Sequence, residues 1–263
     1  MKQRNFAWCL LAITCTVTTP ASAEQVLVAV AANFAPPFRE VALEFEKATG
    51  HNVKVAAGST GNFYAQIKNG APFDVFFSAD VERPKLLEEE GLGIKDSRVT
   101  YAVGRLALWS LTPSLLKGAD TLHSPHFKHL AIANPKTAPY GAAALQTMQK
   151  LGVWDKLRPR IVTGENLGQT MGFIESGNAE LGFVALSQVL DPKLKGKGAR
   201  WDVPTDLHEP IKQDMILLTK GKDNPAARAL MEFMGGPQAK TVIERYGYGL
   251  KSLAIRQDTE IQP

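Results

Sequence analysis

The sequence predicts an α/β protein of two lobes, each with a parallel-type sheet, joined by two crossing strands. Short apolar runs alternate with amphipathic helices along the chain, which is typical of parallel sheets covered on both faces. Two extended apolar segments, residues 101–111 and 211–218, stand near one third and four fifths of the chain, where they can connect lobes. With 44% hydrophobic and 21% charged residues, the 263-residue chain can bury a substantial core.

The first 23 residues are predicted to form a signal peptide. Lys2 and Arg4 precede an apolar stretch that ends at the small-residue site Ala21-Ser22-Ala23. This stretch is too short to span a bilayer, and no later window is apolar enough to do so. We therefore expect an exported, soluble protein of the periplasm.

The only two cysteines, Cys9 and Cys15, lie inside the predicted signal. A chain cleaved after Ala23 has no cysteine for a disulfide, a thiol nucleophile or a metal site. Lipid attachment at Cys15 is the alternative, and Thr14 disfavours it because such processing prefers a small residue there.

Three strand–helix units are predicted to follow the signal. Each is an apolar run followed by apolar residues at helical spacing, and each helix stops at a glycine. The units are strand 26–30 with helix 38–48, strand 53–57 with helix 62–69, and strand 73–79 with helix 84–90.

The same alternation resumes after the extended segment 101–111. The later elements are strand 130–133, helix 141–151, strand 161–163, helix 167–176, strand 181–185, strand 211–218, and helices 225–234 and 237–246. If the two extended segments cross between lobes, the second lobe is inserted into the sequence of the first. The prediction is a first lobe of 24–104 with 212–263, a second lobe of 105–211, and a hinged ligand cleft between them.

Four strand-to-helix junctions are small and polar, and ligands of open α/β sheets bind where such junctions meet. Helix starts carry free N–H groups and a positive dipole end, so several that converge form an anion site without cationic side chains. Such a donor-only site suits a fully ionised oxyanion and disfavours a protonated one. The junctions are Ala31-Ala32-Asn33, Gly58-Ser59-Thr60-Gly61, Pro139-Tyr140-Gly141 and Glu165-Asn166-Leu167-Gly168.

Each of these junctions has a simpler interpretation, because Ser, Thr, Asn and Gly are also good helix N-caps. The occurrence of four in one exported, two-lobed chain favours a ligand site. Side-chain donors are expected from Asn33, Ser59, Thr60 and Tyr140. Because two prolines follow the first junction, Asn33 has to act through its side chain or its own N–H.

Short motifs spread over residues 26–249 resemble the periplasmic molybdate-binding proteins of ABC transporters, which have the type II periplasmic binding protein fold. The resemblance is specific because the motifs cover nearly the whole chain after the signal. They are Val-Ala-Ala-Asn-Phe at 30–34, Gly-Ser-Thr-Gly at 58–61, Tyr-Ala-Gln-Ile at 64–67, Asn-Gly-Ala-Pro-Phe-Asp-Val at 69–75, Ser-Ala-Asp at 78–80, Asn-Pro at 134–135, Ala-Pro-Tyr-Gly at 138–141, Gly-Phe-Val-Ala at 182–185 and Gly-Pro at 236–237.

The resemblance implies a monomer that binds molybdate or tungstate, uses no cofactor or direct metal-ion ligand, and delivers its cargo to an inner-membrane ABC permease. It also implies the residues that bind the oxyanion, which are Ala32, Asn33, Ser59, Thr60, Tyr140 and Leu167. Two positions depart from the family: many relatives have Ser at position 33, and one branch has a ligating Tyr where this chain has Ala185. Sulfate and other tetrahedral oxyanions remain alternatives.

Other classes of function are less well supported. An exported hydrolase is the enzymatic alternative, but the common nucleophile, phosphate-loop and zinc-protease motifs are absent, so no catalytic residue is predicted. An organic-anion receptor usually has an arginine in the site, and the four junctions contain none. The net charge of +4 has no basic run that indicates nucleic acid.

Two further clusters are interpreted as structural. His123, His126 and His129 are predicted to lie in an exposed loop rather than a metal site, because Pro125 interrupts any helix and no carboxylate is interleaved. Asp74 and Asp80 flank one predicted strand and could pair as acid and base. The preferred roles for Asp80 are to cap the next helix or to line the cleft, since a carboxylate that points at a dianion would repel it.

Overall fold

The computed structural model describes residues 23–250 and contains two five-stranded sheets with helices packed against them. The strands are β1 (Gln25–Ala31), β2 (Asn52–Gly58), β3 (Val75–Phe77), β4 (Val99–Gly104), β5 (Leu106–Ser110), β6 (Leu130–Ala133), β7 (Ile161–Gly164), β8 (Leu181–Ala185), β9 (Ala199–Asp202) and β10 (Ile211–Leu217). The helices are α1 (Ala35–Thr49), α2 (Thr60–Lys68), α3 (Glu82–Glu89), α4 (Pro139–Lys150), α5 (Trp154–Leu157), α6 (Leu167–Glu175), α7 (Leu186–Val189), α8 (Pro225–Met234) and α9 (Pro237–Arg245).

Each lobe contains one sheet, and each sheet has a single reversed strand. The first sheet has the order β2-β1-β3-β10-β4, and the second has the order β7-β6-β8-β5-β9. Strand β10 runs antiparallel to both neighbours in the first sheet, as β5 does in the second. The sheets are therefore mixed rather than wholly parallel, because the strand that enters from the other lobe arrives without a helical crossover to reorient it.

The chain crosses between the sheets twice, although not with the strand limits that the sequence predicts. The predicted strand 101–111 is two strands, because the chain leaves the first sheet after β4 and enters the second at β5, with Arg105 between them. The predicted crossing strand 211–218 is β10, which lies wholly in the first sheet. The return passage is the segment 203–210, which follows β9, a short strand that the sequence analysis missed.

The helices adopt the periodicity that the sequence shows. In α1, the buried residues Phe38, Val41, Ala42 and Phe45 form one apolar face against the first sheet, and Gly50 ends the helix with φ = 76°. Burial of each such phenylalanine contributes about 1.5 to 3 kcal/mol relative to exposure. Because packing holds α1 in place, the loop between β1 and α1 is held with it.

Two of the helix starts that bear on the site come two residues earlier than predicted. Helix α2 begins at Thr60 rather than at residue 62, and α4 begins at Pro139 rather than at 141, whereas α6 begins at Leu167 as predicted. The side chains of Ser59 and Asn166 cap α2 and α6 by accepting backbone N–H bonds. Thr60 and Tyr140 thus belong to first helical turns.

Some predictions fall outside this description. Residues 1–22 of the predicted signal peptide, including Cys9 and Cys15, are not among the described residues. The lobe limits 24–104 with 212–263 and 105–211 stay a prediction. Within residues 23–250, no helix combines the length and apolarity that crossing a membrane requires.

Candidate functional site

All six residues predicted to bind the oxyanion line one small cavity between the lobes, with about 200 Å³ of empty space. The cavity lies at the carboxyl ends of β1, β2, β6 and β7, where the four predicted junctions lead into helices. Its walls contain no charged side chain. They are formed by Ala31, Ala32, Asn33, Gly58, Ser59, Thr60, Ala79, Ala138, Pro139, Tyr140 and Leu167.

Backbone N–H groups are the most numerous donors around this cavity. Residues in the first turn of a helix have no intrahelical acceptor for their N–H groups. Within residues 23–250, no acceptor is found for the N–H groups of Asn33, Ser59, Thr60, Tyr140 and Leu167. Helices α2, α4 and α6 therefore all present free donors and positive dipole ends at one cavity.

At the first junction one of the two donor groups expected of Asn33 is free, and the other groups are already bonded within the protein. Ala32 lines the cavity, but its N–H donates to the Gly58 carbonyl at 2.8 Å, so it supplies no donor. The Asn33 amide nitrogen donates to Gln213 Oε1 at 2.7 Å and to Tyr248 Oη at 3.0 Å. Since these bonds use both amide hydrogens, the expected side-chain donor is not available and only the Asn33 backbone N–H is free.

Three hydroxyl groups at the cavity accept one hydrogen bond each and so keep a proton to donate. Ser59 Oγ accepts from Asn62 N at 3.4 Å, and Thr60 Oγ1 accepts from Ala79 N at 2.9 Å. Tyr140 Oη accepts from Gln213 Nε2 at 3.2 Å. The cavity therefore combines hydroxyl donors with the backbone donors of the helix starts.

The tyrosines of the site are neutral. Burial, and next the nearby Tyr248 hydroxyl, raise the pKa of Tyr140 well above its usual value. Burial also raises the pKa of Tyr248 to about 12. Both hydroxyls consequently retain their protons at physiological pH and act as hydrogen-bond donors rather than as phenolates.

The cavity is closed, because residues of both lobes seal it. Asn33, Thr60 and Tyr140 are no more than 2% exposed. Several hydrogen bonds join the lobes around the site. They include bonds from Ser187 Oγ to the Asn33 carbonyl at 2.7 Å, from Gly61 N to the Thr137 carbonyl at 2.8 Å, and from Arg83 to the Lys136 carbonyl at 3.2 Å. Gln213 Nε2 also donates to Tyr140 Oη at 3.2 Å from one lobe to the other. A ligand can enter only if the lobes separate.

A larger groove adjoins the cavity and shares Ala79, Ala138 and Pro139 with it. It has about 1250 Å³ of empty space, is open to solvent, and contains Arg83 and Lys212 as well as carboxylates. Because the groove contains both cationic and anionic side chains, and water solvates them, it does not select for an anion. The groove is therefore the outer part of the cleft, and the small uncharged cavity is the candidate site.

The other residues singled out in the sequence have structural partners. Asp74 accepts from Leu27 N at 2.6 Å, whereas Asp80 accepts from Arg83 N at 3.0 Å at the start of α3, so the two carboxylates do not pair as acid and base. Within residues 23–250, no group of three His, Cys, Asp or Glu side chains is placed to hold a metal ion.

The sequence analysis missed the residues that surround Asn33 on the side away from the cavity. Gln213, Tyr248 and Ser187 are buried and bond directly to Asn33. One signal for Gln213 was present, because Gln213 and Asp214 are consecutive polar residues in a strand that ends with three apolar ones. Such residues need buried partners.

A two-lobed α/β chain that closes on an uncharged, donor-lined cavity is a solute-binding protein in class, and binding rather than catalysis is what this site performs. The family described as bacterial extracellular solute-binding protein matches residues 26–249, and the chain belongs to that family.

Individual relatives cover nearly the whole chain. It is 56% identical over 234 residues to the molybdate-binding protein ModA of Azotobacter vinelandii, an alignment that covers 88% of this chain and 92% of the relative. It is 48% identical to ModA of Rhodobacter capsulatus, with 90% and 93% covered. The solved periplasmic molybdate-binding protein of Azotobacter vinelandii superposes with a TM-score of 0.83 at 41% identity and covers 86% of this chain and 99% of its own.

Proposed function

We propose that this protein captures molybdate in the cavity between its lobes and delivers it to the permease of an ABC transporter. The observation that carries the proposal is the cavity itself, where free N–H groups of three helix starts and of Asn33 meet hydroxyl donors and no charged side chain. We assign the binding role to Asn33, Ser59, Thr60, Tyr140 and Leu167, with Ala32 as a wall.

The chemistry of the donors matches a fully ionised tetrahedral oxyanion. Molybdate carries two negative charges and only accepts hydrogen bonds, so it can satisfy every donor of the cavity without leaving one unpaired. Each charge-assisted hydrogen bond contributes about 1.5 to 3 kcal/mol before desolvation. A protonated anion such as hydrogen phosphate brings a donor of its own, for which the cavity walls offer no charged acceptor.

The names of the relatives support molybdate among the tetrahedral oxyanions. Both ModA proteins described above are named for molybdate binding, and they share about half of their residues with this chain. Tungstate has nearly the same size and charge, and hydrogen bonding does not distinguish the two, so we include tungstate as a ligand.

We further infer that the protein works in the periplasm as a monomer. The predicted signal peptide and the extracellular family support export. Lobe closure supplies the signal that a permease can read, because an anion that accepts from both lobes favours the closed surface over the open one.

Titration calorimetry of the cleaved protein with molybdate, tungstate, sulfate and phosphate tests the proposal. We expect tight, similar binding of molybdate and tungstate, weaker binding of sulfate because this smaller anion does not reach all the donors at once, and the weakest binding of phosphate. Sulfate is the second candidate, and tighter binding of sulfate than of molybdate would replace the proposed cargo. Absence of heat with all four anions would contradict an oxyanion site.

A further inference from the structure

A buried hydrogen-bonded array connects the two sides of the cavity. Asn33 Nδ2 lies 2.7 Å from Gln213 Oε1 and 3.0 Å from Tyr248 Oη, and Gln213 Nε2 lies 3.2 Å from Tyr140 Oη. Gln213 is fully buried in β10. A single side chain of the first lobe thus bonds to Asn33 on one side of the cavity and to Tyr140 on the other.

The Asn33 carbonyl determines where the protons of this array lie. A carbonyl oxygen only accepts, and it has Ser187 Oγ at 2.7 Å and Tyr248 Oη at 2.9 Å. The Ser187 proton therefore points to this oxygen. The single Tyr248 proton is held by the same oxygen or by Ser187 Oγ, which is 3.0 Å away. Tyr248 has no proton left for the Asn33 side chain.

The orientation of both side-chain amides follows from this. Because Tyr248 Oη can only accept from the Asn33 side chain, the Asn33 atom that faces it is the amide nitrogen. The Gln213 atom that accepts from the same nitrogen is then the carbonyl oxygen. The other end of the Gln213 amide, its NH₂ group, consequently faces Tyr140 Oη and donates to it.

We propose that Gln213 is a positioning residue that makes the Tyr140 hydroxyl an obligate donor to the bound anion. The Gln213 N–H occupies a lone pair of Tyr140 Oη, so the Tyr140 proton turns away from Gln213 and toward the cavity that Tyr140 lines. Tyr248 Oη is a competing acceptor, and Asn33 Nδ2 occupies one of its two lone pairs, so the bound anion competes only with the other. This inference rests on the proposed function.

The backbone beside Tyr140 leaves room for this arrangement because residue 104 is a glycine. A Cβ atom at Gly104, the last residue of β4, would lie 2.0 Å from Tyr140 Oη and 2.6 Å from Gln213 Nε2. Only glycine therefore permits the Gln213 and Tyr140 side chains to meet where the chain leaves the first sheet. The positioned donor also explains how a neutral site rejects anions that carry a proton.

The test is a double-mutant cycle on molybdate affinity, measured by calorimetry with Gln213→Met, Tyr140→Phe and the double variant. Methionine has a similar volume and lacks the N–H that occupies the Tyr140 lone pair. We expect Gln213→Met to weaken molybdate binding about tenfold in the presence of Tyr140 and less than about twofold in its absence. Gln149→Met, the same substitution at an exposed position of α4, serves as the control.

A second variant keeps the test decisive if Gln213→Met does not fold. Gln213→Glu retains the shape of the side chain, but an ionised carboxylate accepts from the Tyr140 hydroxyl. The Tyr140 proton then points away from the cavity. This variant is measured in the same double-mutant cycle, with and without Tyr140→Phe. The inference would be overturned if a Gln213 substitution reduced molybdate affinity equally in the presence and absence of Tyr140. It would also be overturned if both Gln213 variants had wild-type affinity. Wild-type protein that fails to bind molybdate would instead contradict the proposed function.

Discussion

The residues around the cavity differ in role even though the sequence groups them together. Asn33 uses both amide hydrogens within the protein, so its contribution to a ligand is one backbone N–H. Tyr140 accepts from Gln213 and keeps its proton for the cavity. From residue type alone, Asn33 could have donated to a ligand and Tyr140 could have been used within the protein, because each side chain can both donate and accept.

Replacement of the Tyr140 hydroxyl tests the site at the scale of one residue. Tyr140→Phe should weaken molybdate binding by about 1 to 3 kcal/mol, since it removes a hydrogen bond to a charged ligand. The variant should still fold but melt at a lower temperature, because Gln213 Nε2 loses its buried acceptor. Calorimetry and thermal melts measure both effects. Tyr64→Phe serves as the control, because the half-buried Tyr64 donates its hydroxyl proton to Glu90 away from the cavity. An unchanged binding isotherm would remove Tyr140 from the site.

The pKa of Tyr248 predicts a pH dependence of stability. Its folded pKa of about 12 lies above the value of about 10 in unfolded chains, so the folded state holds the proton more tightly. The stabilisation is fully present below pH 10 and is lost as the pH rises toward 12, by about 3 kcal/mol in total. Urea unfolding from pH 8 to 12 should show this decline, and Tyr248→Phe should reduce it. An identical decline in the variant would assign it to other groups.

At the scale of elements, helix starts carry the function of the site. Helices α2, α4 and α6 begin at the cavity, and packing against the sheets fixes where each begins. Ser59 has two roles there, as the N-cap of α2 and as a wall of the cavity. The structure shows Ser59 as a cap, and its place in the cavity wall is compatible with the proposed ligand role. The energetic effects of the two roles are separable.

Substitution of two helix caps separates these effects. Ser59→Ala should destabilise the fold by about 0.5 to 2 kcal/mol and also weaken molybdate binding. Asn224→Ala removes the cap of α8, which accepts from Ala226 N at 3.0 Å away from the cavity, and should reduce stability alone. Urea unfolding and calorimetry on both variants give the comparison. If Ser59→Ala and Asn224→Ala bind molybdate with equal affinity, Ser59 acts only as a helix cap.

At the scale of the molecule, binding depends on closure of two lobes around the cavity. The described structure is closed, and the hydrogen bond from Ser187 Oγ to the Asn33 carbonyl joins the second lobe to the first. Because this bond forms only when the lobes meet, it favours the closed state without contacting the anion. The free energy needed to close the lobes reduces the measured affinity by the same amount.

Ser187→Ala should therefore shift the unliganded protein toward an open form. Loss of about 1 kcal/mol of interlobe hydrogen bonding corresponds to about fivefold weaker molybdate binding. Small-angle scattering of the unliganded variant should give a larger radius of gyration than wild type, and saturating molybdate should abolish the difference. Exposed Ser114→Ala serves as the control. A variant with wild-type scattering and affinity would show that this bond does not contribute to closure.

Much of the fold could be predicted because its elements have local signals. Strands β6 and β8 and helix α8 have the limits that the sequence predicts, since each is an apolar run or an amphipathic stretch with clear ends. Strand β9, with the residues Ala-Arg-Trp-Asp, has no such pattern and was missed. It is a strand because it pairs with β5, which is a tertiary interaction that local sequence does not encode.

The class of protein and the four junctions that form the cavity could be predicted from the sequence, because strand–helix alternation, glycine stops and short motifs are local properties. Which donors remain free depends instead on contacts between distant parts of the chain. Gln213 is 180 positions from Asn33, and Tyr248 is 215, yet these two residues take both hydrogens of the Asn33 amide. Hydrogen bonds between residues so far apart depend on where the sheets place β1, β10 and the chain after α9, which no local pattern specifies.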